Sequence, residues 1–485
     1  MKTPRVLGVG FLVFLYGCAG QYFRDAGTPP PSPPRYSIAT LPQPEYWTGV
    51  VFNGAKVGFS HTLVAPAGDF YEIHGEAVLR FRFLGYEKRV HARSLDTVDS
   101  RARLVRFVYH YVLDDTEQEV SGEVRDGSLR YRVSTGGRPA EQKEEALLDD
   151  LYPSGALTLL PVIEGLSVGK KFRWLVFNGE TQGVTLAEQE VLAYETSDLF
   201  EGSAFRIRTD MLGLHSTTWL DARGLPVFEL GLNGVIISAL EDERTAKGYL
   251  TGAALNKDDA LVGWSLVKAR LPLPDPREAR FLRFVLLDPE RRSPLLDARQ
   301  HCAGSERDLV CEIDATRAVA DDGSRALALL PSSTVQSRDP MIRKLAQTIA
   351  GPRTSEEDKV EAVLGWLERN IAKEPVDTFS ALDVLDAKRA ECQGHAYLYA
   401  ALMRALNVPT RVVNGLVYSP EHLGFLYHTW AESLVGGAWR AVDPTFNQAQ
   451  ADATHIALVR GETLGDLTPL IDWVGNTRIR VLEAR

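Results

Sequence analysis

The chain has 485 residues, is 45% hydrophobic and 24% charged, and carries a formal net charge of −10. That length exceeds one ordinary core, so two or three domains are expected. The modest, dispersed acidity excludes the basic patch of a nucleic-acid binder and otherwise indicates a soluble globular chain.

Residues 1–17 read as a targeting signal rather than as structure. Lys2 and Arg5 precede the apolar run Val6–Leu15, which is shorter than the roughly 20 residues a membrane-spanning helix needs. The run ends in Leu15-Tyr16-Gly17-Cys18, which resembles the lipobox of bacterial lipoprotein signals. The resemblance implies cleavage before Cys18, lipidation of Cys18, and a protein held by lipid in the bacterial envelope, facing the periplasm. Ala19, where an aspartate would resemble an inner-membrane retention signal, points to the outer membrane. The alternative is a plain secretory signal in which Cys18 is incidental. Residues 18–42 include Thr28-Pro-Pro-Pro-Ser-Pro-Pro34, a run that favours extended polyproline conformation and reads as a tether.

Residues 43–270 read as an all-β domain, an antiparallel sandwich or curved sheet. Val78–Leu84, Leu104–Val112 and Ser128–Ser134 largely alternate apolar and polar side chains, the period-2 signature of half-buried strands. Asn53-Gly54, Asp126-Gly127, Asn178-Gly179 and Asn233-Gly234 supply turns between strands. The histidines here (His61, His74, His91, His110, His215) stand singly, with no clustered catalytic set.

Leu271-Pro-Leu-Pro-Asp-Pro276 interrupts strand and helix alike and opens a second domain, residues 271–485. Short strands are expected around Cys302 and Cys311, then helices over Ile342–Ala350, Ser355–Ile371 and Cys392–Leu406. Strands follow over Thr410–Tyr418, Tyr427–Leu434 and Ala438–Val442. The second helix opens on Ser355-Glu-Glu-Asp358, a cap with acidic residues in the first turn. The fold class is therefore α+β, an all-β domain followed by a domain of helices and antiparallel strands.

The four cysteines sort by position. Cys18 is the lipid-anchor candidate. Cys302 and Cys311 sit close together in a polar stretch, and an oxidising compartment permits a disulfide; two free thiols are the alternative. That leaves Cys392, an unpaired thiol at the start of a helical stretch. There the helix dipole and unpaired backbone N–H groups favour thiolate and can stabilise an oxyanion.

A base for that thiol follows from counting along the hairpin Tyr427–Asp443. Gly436-Gly437 makes a two-residue turn, so Val435 pairs with Ala438 and Trp430 comes opposite Asp443. His428, two residues from Trp430, shares that face, within side-chain reach of Asp443. An imidazole oriented by a carboxylate is the general base and acid a thiol nucleophile requires.

These residues, in the order Cys, His, Asp, resemble the transglutaminase-like superfamily, relatives of papain-type cysteine proteases. The resemblance spans about residues 335–465. It rests on Glu391-Cys392, Ala401–Arg411, Tyr427-His-Thr-Trp-Ala-Glu432 and Trp439-Arg-Ala-Val-Asp-Pro-Thr445. It implies Cys392 as nucleophile, His428 as base and Asp443 as orienting acid, without a cofactor. It also implies an amidase or peptidase working through a thioester, and the expected periplasmic surroundings suggest a peptide or protein substrate of the cell envelope. Many members carry Gly two residues before the cysteine and an acidic residue two after; here Ala390 and Gly394 stand there. Cys392-x-x-His395 lacks the second pair of a zinc site. Asp452-Ala-Thr-His455 is expected to shape a loop. Whether water or an amine takes the acyl group is not written in the sequence. A non-catalytic envelope scaffold that binds peptide is the alternative function.

Overall fold

The structure is a computed structural model. It describes residues 22–485 apart from 31–34, 53–54, 84–85, 115, 137, 139, 232–234, 249–261, 263–264, 270–271, 288–293, 306–307, 377, 468 and 474–476. The signal segment 1–17, Cys18 and the turns Asn53-Gly54 and Asn233-Gly234 lie wholly or partly outside these residues.

The N-terminal part is one large antiparallel sheet of 16 strands, with a single parallel pairing of Leu151–Pro153 against Lys171–Asn178. Glu45–Phe52 is its middle strand, hydrogen-bonded on one side to Ala55–Ala67 and on the other to Ile236–Glu241. From there one arm runs through successive hairpins to Glu141–Ala146, and the other runs back to Leu151–Pro153. Alternation sets the faces: along Ser128–Thr135, Leu129, Tyr131 and Val133 are buried while Arg130 and Arg132 are exposed. The buried faces of the two arms meet. Val64, Ile73 and Val98 of one arm share a core with Trp174, Val176, Phe205 and Ile207 of the other. Phe107 packs on Phe177 across the arms at a ring separation of 4.4 Å. Each fully buried aliphatic or aromatic side chain contributes about 1.5–3 kcal/mol.

Part of the segment read as a tether is built into this sheet. Phe23–Asp25 pairs with Glu195–Ser197, Phe23 stacks on Trp219 at 4.3 Å, and Ile38 enters the core. The apolar side chains flanking the proline run find partners that composition alone does not reveal.

Beyond residue 270 comes the α+β unit. Its helices are α1 (Pro340–Ala350), α2 (Glu356–Asn370), α3 (Ala381–Ala387) and α4 (Cys392–Ala405). Its sheet contains β1 (Thr410–Ser419), β2 (Gly424–Val435), β3 (Ala438–Val442) and β4 (Ile456–Arg460), in the order β3-β2-β1-β4. The Ser355 side chain accepts from Asp358 N and fixes the start of α2. Helix α4 is apolar nearly all round and is buried between α1, α2, α3 and the sheet, in one core with Val412, Ala431 and Val442.

A smaller sheet of Phe281–Leu287, Gln300–Gly304, Asp308–Asp314 and Arg478–Ala484 closes the unit. In it Cys302 stands opposite Cys311, and the two form a disulfide. Among the described residues no helix is long and apolar enough to cross a membrane.

Candidate active site

The turn at Gly436 and Gly437 has φ of 60° and 80°, values glycine adopts without steric cost. Val435 pairs with Ala438 and Ala431 with Val442. One step further the register places Asp443 beside the face of β2 that carries His428. His428 Nε2 lies 2.7 Å from Asp443 Oδ2, and both residues are buried. Asp443 is held from two sides. Its Oδ1 accepts from the backbone N–H of Thr445 and Phe446, at 2.7 and 3.0 Å. The His428 ring stacks on Phe446 at 4.9 Å.

Because Nε2 is committed to the carboxylate, Nδ1 is the ring nitrogen left for a thiol. Cys392, the first residue of α4 and a free, half-buried cysteine, touches the backbone of Thr429, the residue after His428. Its Sγ hydrogen-bonds Oε2 of Glu391 at 3.1 Å. Glu391 is also the cap of α4, its Oε1 accepting from Gln393 N at 3.0 Å.

This contact changes the expected ionisation. Burial, reinforced by the Glu391 carboxylate, pushes the thiol well above its ordinary value. Burial first, and the anionic cap Glu391 second, oppose the pull of the helix N-terminus toward thiolate. Burial also pulls His428 below its ordinary value, outweighing Asp443. Thiol and imidazole therefore both rest neutral. Asp443 is ionised: burial raises its carboxyl, but the two histidines on it hold it far below the usual range.

The second of those histidines is His455, which lies at the heart of the site rather than in a peripheral loop. It is fully buried, and its Nε2 lies 2.8 Å from the same Asp443 Oδ2. Its Nδ1 faces Asp452, at 3.1 Å from the carbonyl and 3.2 Å from Oδ1. Asp452 Oδ2 in turn accepts from Arg277 at 2.9 Å and from Gln448 at 3.0 Å. Strand β4, which follows His455, comes close to β1 because Gly415 stands there; a Cβ on Gly415 would lie 2.0 Å from Ile456 O. A signal was present in the sequence, since Asp452-Ala-Thr-His455 directly precedes the apolar run Ile456-Ala-Leu-Val459. No spacing rule, however, states which strand that run will join.

His428, Asp443 and His455 also lie close enough together to be weighed as metal ligands. Tetrahedral ligands about 2.1 Å from an ion stand about 3.4 Å from one another. Both rings instead aim at one oxygen at 2.7 and 2.8 Å, which are hydrogen-bond lengths. The set is a hydrogen-bonded cluster and does not fit an ion. His395 is buried and its Nδ1 ties back to Glu391 O at 2.9 Å; among the described residues it joins no ligand group with Cys392. Arg404 and Arg411, within the motif Ala401–Arg411, are structural, paired with Glu462 and Glu432.

Residues 343–444, which contain all three triad candidates, match the family model of the transglutaminase-like superfamily. The chain carries a domain of that superfamily. Among curated proteins none matches. A candidate cysteine protease from Cytophaga hutchinsonii is similar at 18% identity over 42% of this chain and 85% of that one, with a TM-score of 0.30. A β-barrel-like protein from Brucella abortus, of a domain family of unknown function, is similar at 12% identity over 41% of this chain and 95% of that one, with a TM-score of 0.33. A candidate protease from Parabacteroides distasonis is similar at 10% identity, covering 73% of this chain and 63% of that one, with a TM-score of 0.21.

Proposed function

We propose that the protein is a cysteine-dependent amidase or peptidase, acting on a peptide or protein of the bacterial envelope. The observation that carries this reading is the buried His428–Asp443 pair at 2.7 Å, on the strand whose next residue, Thr429, meets the free thiol Cys392 at the head of α4. His428 Nδ1 takes the proton of Cys392 as Sγ attacks the carbonyl carbon, giving a tetrahedral oxyanion at the N-terminus of α4. As the C–N bond breaks, His428 returns that proton to the departing amine and a thioester remains. Water, deprotonated by His428, then releases the acid; an amine in its place gives transamidation. Because thiol and imidazole both rest neutral, His428 acts as a true base in the first step.

The chain is exported and held at the outer membrane through Cys18, a reading supported by the lipobox-like Leu15–Cys18. Cys18→Ala should move the protein from the membrane to the soluble fraction; sedimentation with membranes after a salt wash would contradict that.

The hydrogen bond from Cys392 to Glu391 favours a second reading, a peptide-binding scaffold without turnover. Alkylation of folded, reduced protein separates the two. Catalysis predicts alkylation of Cys392 that rises with pH through neutrality and is lost in His428→Ala. Asp443→Asn should slow it by about 10²–10⁴, because it presents the wrong tautomer. An inert Cys392, or labelling of His428→Ala as fast as wild type, would favour the scaffold.

A further inference from the structure

Within the proposed triad, whose chemistry this step rests on, we infer that His455 is a positioning residue. It is a buried imidazolium that shares the charge of Asp443 and thereby holds the base His428 neutral and ready to accept a proton.

The two ring nitrogens of His455 both face oxygens. Nε2 meets Asp443 Oδ2 at 2.8 Å. Nδ1 meets the carbonyl and Oδ1 of Asp452 at 3.1 and 3.2 Å. All three partners are oxygens. A carbonyl can only accept, so Nδ1 carries a proton. Asp452 Oδ1 already accepts from Thr454 N and Thr454 Oγ1, at 2.8 and 2.5 Å, as a carboxylate does. Asp443 Oδ1 accepts from two backbone N–H groups and its Oδ2 meets Nε2 of both His428 and His455, the surroundings of a carboxylate, to which His455 Nε2 donates. At this fully buried ring each nitrogen faces only acceptor oxygens, so both keep their protons.

The charges then alternate from the surface inward: Arg277 positive, Asp452 negative, His455 positive, Asp443 negative. The other charged groups nearby are Arg299, whose guanidinium donates to the carbonyls of Ala451, Asp452 and His455, and Glu391 beside Cys392. His395, buried on α4 one turn after Cys392, and Tyr427 beside Cys392 are further titratable neighbours. A carboxylate matched by one imidazolium attracts a second one less. The first ring is thus a permanent partner, and His428 is charged only transiently. The direction of the His455 ionisation agrees: burial pulls it down, but Asp443 and Asp452 together raise it above its ordinary value.

Nitrogen-15 spectra of the full chain, labelled at its ten histidines, test this without any assay of turnover. At pH 7.5, where an exposed imidazole has largely lost its proton, one ring should remain doubly protonated. That signal should vanish in His455→Gln, whose side-chain amide still donates to Asp443. The same variant should move the acid limb of Cys392 alkylation upward by about one pH unit, because His428 becomes more basic. His455→Ala, lacking the donor, should also lose rate at the plateau, and His455→Gln should restore it. A neutral tautomer at His455 in the wild type overturns the inference, even where Cys392 is a competent nucleophile. An unreactive Cys392 with an intact imidazolium would instead count against the triad alone.

Discussion

Ala390 and Gly394 compete for one space beside the nucleophile: a Cβ added to Gly394 would lie 2.7 Å from the Cβ of Ala390. Thr378 Oγ1 and Val384 Cγ2 crowd the same point, at 2.7 and 2.9 Å. Ala390, Thr378 and Val384 together leave no room for a side chain at position 394. Gly394→Ala should destabilise the protein by about 1–3 kcal/mol through overpacking. Ala390→Gly in the same chain should return part of that, with a coupling of at least about 0.5 kcal/mol in urea unfolding. Purely additive effects would show that the two side chains do not meet.

The sheet and the α+β unit are joined at Arg138. Its guanidinium reaches Asp383 Oδ1 at 2.8 Å and also pairs with Asp386, both on α3, the helix that leads to the nucleophile. The Asp383 side chain is 3% exposed, so removing Arg138 strands a buried charge. Arg138→Ala should cost about 3 kcal/mol at pH 7, and adding Asp383→Asn should recover more than half. Unfolding midpoints in urea decide it; an Arg138→Ala protein as stable as wild type would contradict the docking.

Asp96 is buried in the large sheet and accepts from Tyr109 Oη at 2.5 Å. Burial, only partly opposed by Tyr109, raises its carboxyl to about 7. Below pH 4 it is protonated in both folded and unfolded chains. Between pH 4 and 7 only the unfolded chain ionises, so stability falls as pH rises through that window and levels off above it. Three pKa units correspond to about 4 kcal/mol at most. Asp96→Asn should flatten this decline, gaining most above pH 7 and little at pH 4. A melting-temperature series over pH would refute the assignment if the gain were equal throughout.

Glu391→Gln keeps the oxygen that accepts from Gln393 N while removing the anion from the thiol. The thiol should become more acidic, and its alkylation at pH 7 should rise several-fold. No change in the alkylation profile would mean that Glu391 does not restrain Cys392.

Much of the α+β unit is legible in sequence because its determinants are local. Ser355 caps α2, the Gly436-Gly437 turn fixes the hairpin register, and the period of 2 then puts His428 and Asp443 on one side. What stayed hidden depends on contacts distant in the chain. His455 reaches Asp443 only because β4 pairs with β1, and Arg277 meets Asp452 across 175 positions. The pairing of Ile236–Glu241 with Glu45–Phe52, which ties the two arms of the large sheet together, carries no mark in either segment. The Glu391 contact is hidden for a different reason: a polar residue before a helical cysteine reads as a cap, and only the folded backbone brings its second oxygen to the thiol.

The proposed mechanism has Cys392 form a thioester with His428 as its base. Mixing the full chain with an activated peptide ester and reading its intact mass tests this before the natural substrate is known. The expected adduct maps to Cys392, is released by hydroxylamine, is absent from Cys392→Ala, and forms at least about 100-fold more slowly in His428→Ala. An adduct that forms on Cys392 at the same rate with and without His428, or none on Cys392 at any pH between 6 and 9, would contradict it.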